Sequence, residues 1–204
     1  MSKYLFVGIA AILAATSMAS AEIIDWDCFD DDDGAIVMDT GASVWTQLGD
    51  TGGIPTYQLD MFGTQNWAPA HVEGWFETDT EEDPIVWLVQ TVDNQTTFAW
   101  THYEIIIGMP QAFSIIGVVA PPDWTWAITA PVSGQPIPNG GTGWLGSVDY
   151  YAGTPIPVGG SGTFGVILQF DGSVQFCTEQ IPTPEPVTAG LLALGGLVFL
   201  RRRA

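Results

Sequence analysis

Positively charged residues are nearly absent from this chain. Its 204 residues include four Lys and Arg against 23 Asp and Glu, which gives a net charge of −19. The four are Lys3, Arg201, Arg202 and Arg203. All acidic residues lie between Glu22 and Glu185, so this stretch has no Lys or Arg with which to form a salt bridge. Without cations to replace counterions, binding to nucleic acid or to anionic lipid is disfavoured.

Long hydrophobic runs are also lacking, and the longest ones lie at the two ends of the chain. Residues 4–15 are apolar, follow Lys3 and precede the small-residue sequence Ala19-Ser20-Ala21. This order is typical of a secretory signal peptide, and the run is too short for a permanent membrane span. Residues 1–21 are therefore predicted to be a signal peptide cleaved before Glu22. A buried N-terminal helix is the alternative.

Cysteine is scarce as well, since Cys28 and Cys177 are the only two. They lie near the two ends of the acidic stretch, and an exported protein reaches an oxidising compartment. A disulfide closing so long a loop would stabilise the fold by about 4–5 kcal/mol in the chain-entropy model. A Cys28–Cys177 disulfide is predicted on these grounds, with two buried free thiols as the alternative.

Helical periodicity is missing from residues 22–183, where Gly and Pro recur at short intervals between β-branched and aromatic segments. This pattern predicts one all-β domain, an antiparallel β-sandwich or jelly roll. Asp171-Gly172 predicts a tight hairpin turn, and residues 131–143 predict a loop. The predicted strands cover residues 35–39, 43–48, 56–62, 71–77, 85–92, 97–107, 112–119, 125–130, 145–151, 163–170 and 174–177.

Two acidic clusters are candidates for chemistry. Asp30, Asp31, Asp32 and Asp33 offer the carboxylate oxygens that Ca²⁺ prefers, although their spacing does not fit an EF-hand. A calcium loop and a solvated acidic turn both remain open. In the second cluster, the spacing of Glu77, Asp79 and Glu82 resembles the catalytic strand of jelly-roll β-glucanases, where paired carboxylates hydrolyse a glycosidic bond. Polar residues and Pro84 surround these carboxylates here, which favours a loop.

Aromatic and imidazole side chains give two further expectations. Most of the nine tryptophans are expected in the core, but Trp124 and Trp126 share one strand face and suit stacking on sugar rings. The only two histidines are His71 and His102. Neither has a second ligand at metal-binding spacing, and a local hydrogen bond between His102 and Glu104 is expected.

The last twenty-one residues form three consecutive parts. Pro184-Glu185-Pro186 comes first, an apolar run covers residues 189–200, and Arg201, Arg202 and Arg203 follow. The run would make about 18 Å of helix against a hydrocarbon core of about 30 Å. The arginines would hold its end in the cytoplasm, and the prolines keep the preceding segment extended.

This tail resembles the PEP-CTERM sorting signal, which exosortase enzymes process in bacteria that make exopolysaccharide. The resemblance implies export through the Sec translocon, transient insertion of residues 184–204 in the inner membrane and cleavage near the motif. It also implies a final place at the cell surface or in the extracellular matrix of a bacterium with a Gram-negative-type envelope. An ordinary C-terminal membrane anchor is the alternative.

These observations predict a non-enzymatic, exported, acidic β-sandwich without an obligatory cofactor. Carboxylates bridged by Ca²⁺ and exposed aromatic residues would be its contacts with exopolysaccharide. A carbohydrate-binding module using Trp124 and Trp126 is the alternative function, and a glycoside hydrolase using Glu77 and Glu82 is a weaker one.

Overall fold

The chain folds almost entirely into β-strands. A computed structural model describes residues 22–79 and 84–184. The strands of the described residues are β1 Ile23–Asp30, β2 Ile36–Met38, β3 Val44–Thr51, β4 Ile54–Gln65, β5 Ala70–Thr78, β6 Ile85–Asn94, β7 Trp100–Met109, β8 Phe113–Val119, β9 Thr125–Pro136, β10 Thr142–Ile156, β11 Ser161–Phe170 and β12 Val174–Pro184. The all-β prediction is confirmed, while the predicted terminal helices lie outside the described residues.

The strands form two six-stranded sheets packed as a β-sandwich. Sheet A has the order β1-β5-β12-β7-β10-β9. Sheet B has the order β2-β4-β6-β11-β8, and β3 pairs with β4 beside β2. The strands are antiparallel except for β4 and β6, which pair in parallel from Thr56↔Ile85 to Gln65↔Asn94. The prediction of a purely antiparallel fold is wrong at this pair, because β5 crosses to sheet A between the two strands.

Aromatic rings join the two sheets in the core. Tyr103 of sheet A stacks on Phe164 of sheet B with ring centroids 4.1 Å apart, and Tyr150 meets the same phenylalanine edge-on at 5.1 Å. Phe76 of sheet A stacks on Phe170 of sheet B at 5.8 Å. All of these side chains are buried. Such pairs add to the stabilisation that comes from removing their apolar area from water.

A buried polar network crosses the same interface. The Tyr103 hydroxyl donates to Gln65 Oε1 at 2.9 Å and accepts from Gln90 Nε2 at 3.3 Å. Gln180 Nε2 of sheet A donates to Gln90 Oε1 of sheet B at 3.4 Å and to Thr178 Oγ1 of its own strand at 2.6 Å. Because a buried polar group is costly when it loses its partner, this network favours one alignment of the two sheets.

Three local predictions need correction. The predicted strands omit β1, which forms the edge of sheet A beside β5. The turn at Asp171-Gly172 carries the chain from β11 in sheet B to β12 in sheet A, so it is not a hairpin. Residues 131–143 were expected to be a loop. Strand β9 instead continues to Pro136, and β10 begins at Thr142.

The predicted Cys28–Cys177 disulfide does not form in this fold. Both thiols are free and buried. Cys28 is opposite Gly74 on β5, whereas Cys177 is opposite the next residue, Glu73, on the other side of the same strand. The two side chains therefore point to opposite faces of sheet A with a strand between them, an arrangement that a disulfide does not bridge.

Candidate functional site

The first acidic cluster forms the loop between β1 and β2. Asp30 lies at the end of β1 and uses its carboxylate to hold the loop, because its two oxygens accept from Asp32 N at 3.1 Å and Met38 N at 2.8 Å. Asp33 Oδ1 accepts from Ala35 N at 2.6 Å, and Asp31 Oδ1 accepts from Asp33 N at 3.4 Å. Asn66, at the end of β4, fixes the loop by donating to Gly34 O at 2.9 Å.

His71 brings a nitrogen ligand to this loop. It lies on β5, where its Nδ1 is 3.0 Å from Asp31 Oδ2. Asp31, Asp33 and His71 each offer one donor atom, and the three atoms lie within 4.8 Å of one another. Fractional side-chain exposures of 26% for His71 and 28% for Asp31 show that this pair is partly shielded from water. A candidate cation site therefore has three donors from two chain segments.

The four predicted calcium ligands do not form one site. Asp31 and Asp33 come together, Asp30 is engaged with backbone N–H groups, and Asp32 lies outside the three-residue group. Sequence reasoning missed His71 because it is separated from Asp31 by 40 residues. His71 begins the predicted strand 71–77, and the expectation that it has no second ligand considered only residues close to it in the sequence.

The second histidine has a different partner from the expected one. His102 on β7 places Nε2 3.2 Å from Asp149 Oδ1 on β10, and their side chains are 36% and 35% exposed. The expected local bond to Glu104 is therefore replaced by a cross-strand bond. Within residues 22–79 and 84–184, no third metal-ligating side chain lies close enough to this pair to share an ion with it. The only cluster of three such side chains in these residues is the one that contains His71.

Carboxylates are distributed unequally between the two outer faces of the sandwich. Strand register places the side chains of alternate residues of sheet A away from the core. The carboxylates on this outer face are those of Asp25, Asp27, Glu73, Glu77, Glu104, Asp149 and Glu179. The outer face of sheet B has Asp60 and Asp93 among neutral neighbours that include Phe62, Trp87, Thr91 and Thr163. One broad face is thus strongly acidic and the other nearly neutral.

Trp124 and Trp126 do not form a common stacking platform. Trp124 precedes β9, is 7% exposed, and donates from Nε1 to Thr154 O at 3.0 Å. Its indole lies against Gly153, where there is no room for a β-carbon. Trp126, within β9, is 46% exposed. The prediction of a paired sugar-binding surface is therefore wrong for Trp124, which is a packing residue beside an open cleft of about 570 Å³.

A charged anchor fixes the loop that carries Trp124. Asp123 Oδ2 accepts from Thr154 N at 2.7 Å and from the Thr154 hydroxyl. Both hydrogen bonds lower the pKa of Asp123, and the bond from the Thr154 hydroxyl has the larger effect. The loop before β9 is thereby tied to the irregular segment of β10.

The candidate hydrolase pair is only partly within the described residues. Glu77 is exposed on β5 opposite Asp25, while Glu82 lies outside the described residues. Asp79 accepts from Glu22 N at 2.7 Å through Oδ1 and so joins β5 to the start of the body. Glu77 and Asp79 thus contact β1 and the residue before it, at the edge of sheet A.

The predicted sorting motif begins at the last described residue of β12. Pro184 is the last residue of β12, is half-buried and lies opposite Trp100 of β7. Glu185, Pro186, Arg201, Arg202 and Arg203 lie outside the described residues, as does the predicted signal peptide. Within the described part of the chain, no helix has both the length and the hydrophobicity needed to cross a membrane.

The chain matches no family model, and no curated protein or solved structure matches it either.

Proposed function

We propose that this chain is an exported, non-enzymatic protein of the cell surface or the extracellular matrix. An exosortase would recognise residues 184–204 after Sec-dependent export and transient insertion of the tail in the inner membrane. The observation that carries the proposal is the position of all four fixed cations at the two ends of the chain, next to the predicted export and sorting segments. Removing both ends would leave a polyanionic body.

The position of β12 supports a sorting event close to the folded body. Pro184 is both the last residue of the strand and the first residue of the motif. Only a few residues then precede the apolar run that begins at Ala189. An extended chain advances about 3.3–3.6 Å per residue, so the sandwich would lie within about 20 Å of the membrane helix. An enzyme acting at the motif would therefore work directly beside the sandwich.

The two outer faces support a role in contact rather than in catalysis. The acidic face of sheet A would hold hydrated cations and repel other polyanions, which favours solubility outside the cell. The nearly neutral face of sheet B presents aromatic and threonine side chains, with Phe62 at 38% exposure. Such a surface suits exopolysaccharide, because sugars offer apolar ring faces and hydroxyl groups. Ca²⁺ bridging between carboxylates stays part of this proposal, as does a jelly-roll-like connectivity.

A carbohydrate-binding module is the second candidate function, and the exposure of Trp126 favours it. This indole lies on β9, an edge strand without a charged residue. Trp124 is not part of such a site because it is buried. The weaker alternative, a hydrolase using Glu77 and Glu82, would need the two carboxyls to face each other across a cleft at about 5–10 Å.

Substitution of the motif in a bacterium that contains an exosortase tests the proposal. Replacing Pro184, Glu185 and Pro186 together by Ala is expected to leave the unprocessed chain in the inner membrane. The wild-type body is expected at the cell surface or in the medium. Replacing Thr183 by Ala, one residue before the motif, is the matched control and should leave sorting unchanged. Normal processing of the triple variant would contradict the proposal.

A further inference from the structure

We propose that Asp31, Asp33 and His71 bind a divalent transition-metal ion of the Zn²⁺ type. The inference goes beyond the proposed function and does not depend on it, because it concerns the folded body alone. Its basis is the mixed donor set: two carboxylate oxygens from the β1–β2 loop and one imidazole nitrogen from β5, within 4.8 Å of one another. An acidic loop alone would not specify such an ion.

The distances are close to those around a bound ion. Oxygen and nitrogen ligands lie about 2.0–2.2 Å from Zn²⁺, so two ligands of one tetrahedral ion are separated by about 3.4 Å. His71 Nδ1 and Asp31 Oδ2 are already 3.0 Å apart. The third donor, on Asp33, lies within 4.8 Å of the other two, so it needs to approach by at most about 1.4 Å to reach this separation.

Backbone contacts hold one oxygen of each carboxylate, and an ion would replace the hydrogen bond between Asp31 Oδ2 and His71 Nδ1. Asp31 Oδ1 and Asp33 Oδ1 each accept a backbone N–H bond within the loop, so the second oxygen of each carboxylate is directed away from that bond. His71 lies on a strand paired on both sides, with Glu179 of β12 opposite it. A strand inside a sheet fixes its side chain better than a loop does, which reduces the ordering cost of binding.

Local electrostatics favour a cation. Asp30 and Asp32 flank the two carboxylate ligands, and Glu179 adds a carboxylate on the outer face of sheet A. The described residues contain no Lys or Arg that would neutralise this charge. A divalent ion at this point would compensate repulsion that the protein cannot relieve with its own side chains.

The nitrogen ligand decides the class of ion. Ca²⁺ and Mg²⁺ take oxygen ligands almost exclusively, whereas imidazole suits Zn²⁺ and the neighbouring transition metals. A loop of four aspartates alone would favour Ca²⁺. With His71 as a ligand, the site is expected to bind Zn²⁺ more tightly than Ca²⁺. An acidic turn without a histidine ligand would not show this order of affinities.

The molecule has a matched control for this site. His102 and Asp149 form a second His–carboxylate pair at 3.2 Å with similar exposure. If a His–Asp contact on the outer face of sheet A were sufficient, both pairs would bind the ion. The proposal assigns binding only to His71, because Asp33 supplies a third donor there.

Calorimetric titration of the untagged, chelator-treated full chain tests the proposal directly. Wild type is expected to bind one Zn²⁺ at this site and to bind Ca²⁺ much more weakly. H71Q is expected to lose at least about tenfold in Zn²⁺ affinity, since loss of even an outer partner of a metal ligand costs about 10–100-fold. D33N should lose affinity as well, and H102Q should bind like wild type.

Co²⁺ used in place of Zn²⁺ identifies the donor atoms. The folded protein is expected to give visible bands of oxygen and nitrogen ligation without the intense near-ultraviolet band of a cobalt–thiolate bond. Equal Zn²⁺ affinity in wild type, H71Q and D33N would overturn the proposal. A thiolate band would also overturn it, because it would assign the ion to Cys28 or Cys177. Far-ultraviolet circular dichroism of each variant shows whether the fold is retained.

Discussion

Glu104 on β7 and Asp149 on β10 are directly opposite each other across an antiparallel strand pair. Both side chains are half-buried on the outer face of sheet A. Like charges in this arrangement destabilise a sheet, and this chain has no Lys or Arg in the described residues to offset them. The pair illustrates how an acidic surface has a cost in fold stability.

Removing one of these charges should stabilise the body. E104Q is expected to raise the free energy of unfolding by about 0.2–1 kcal/mol, the range measured for cross-strand pairs. Glu179 is the control, because its neighbours across the strands are His71 and Ile106 rather than a carboxylate. Urea denaturation at low ionic strength measures both variants. If E179Q stabilises as much as E104Q, general charge reduction explains the gain and the specific repulsion is disproved.

Alkaline pH should unfold the body through its buried phenols. Burial is the main cause that raises the pKa of Tyr103 well above its usual value, and burial also raises the pKa of Tyr150. The unfolded chain therefore releases these protons first, near pH 10. The contribution of the two tyrosines to stability is complete below that pH and falls as the pH rises through and above it, because the unfolded state then binds fewer protons. Burial also raises the pKa of Cys28 and of Cys177. The two thiols therefore lower the stability of the fold as well, from about pH 8.5 upwards.

Two tyrosine variants measure this effect. Y103F is expected to reduce the loss of stability per pH unit above pH 10. It also lowers stability at neutral pH by about 1–3 kcal/mol, because Gln65 Oε1 loses its donor. Y151F is the control for the loss of a hydroxyl group at a tyrosine that is 37% exposed. Identical slopes for wild type and Y103F would contradict the role assigned to burial.

Substitution of Trp124 and of Trp126 should have different effects, because the first is buried and the second is exposed. W124A is expected to destabilise the fold by about 3–5 kcal/mol, as is usual for a buried aromatic replaced by Ala. W126A should cost much less, because nearly half of its side chain is exposed. Thermal unfolding measures both. If glycan binding is the function, W126A should abolish retention on immobilised exopolysaccharide while the fold survives, and unchanged retention would remove Trp126 from that function.

The thiols should be protected and reduced in the folded protein. Cys28 and Cys177 are each 1% exposed, so a thiol reagent should react with neither under native conditions and with both after denaturation. Melting temperatures with and without a reducing agent should agree. A denatured, unreduced sample of exported protein that shows no reactive thiol would establish a disulfide and contradict the arrangement of sheet A.

Regular alternation of apolar residues made most of the sandwich predictable. In β11, Phe164, Val166, Leu168 and Phe170 face the core as the sequence pattern indicates. Strand β1 was not predictable in the same way, since Asp25, Asp27 and Asp30 are poor strand formers. Pairing with β5 along its length supplies the stability that its own composition lacks.

The candidate site was harder to predict than the fold. The acidic loop was visible in the sequence, but its nitrogen ligand comes from a strand that lies beside the loop only after β1 pairs with β5. The burial of Trp124 likewise depends on Gly153 and Thr154 of β10, which no local pattern connects to it. Contacts between distant segments decide these functional details.

Mass spectrometry of the mature protein, purified from the cells that produce it, shows whether both basic ends are removed. We expect an N-terminus at Glu22 and a C-terminus within or next to Pro184-Glu185-Pro186, so that all four basic residues are absent from the mature body. A mature chain that starts at Glu22 but still ends in Arg201-Arg202-Arg203-Ala204 would contradict this expectation and would establish an uncleaved membrane anchor.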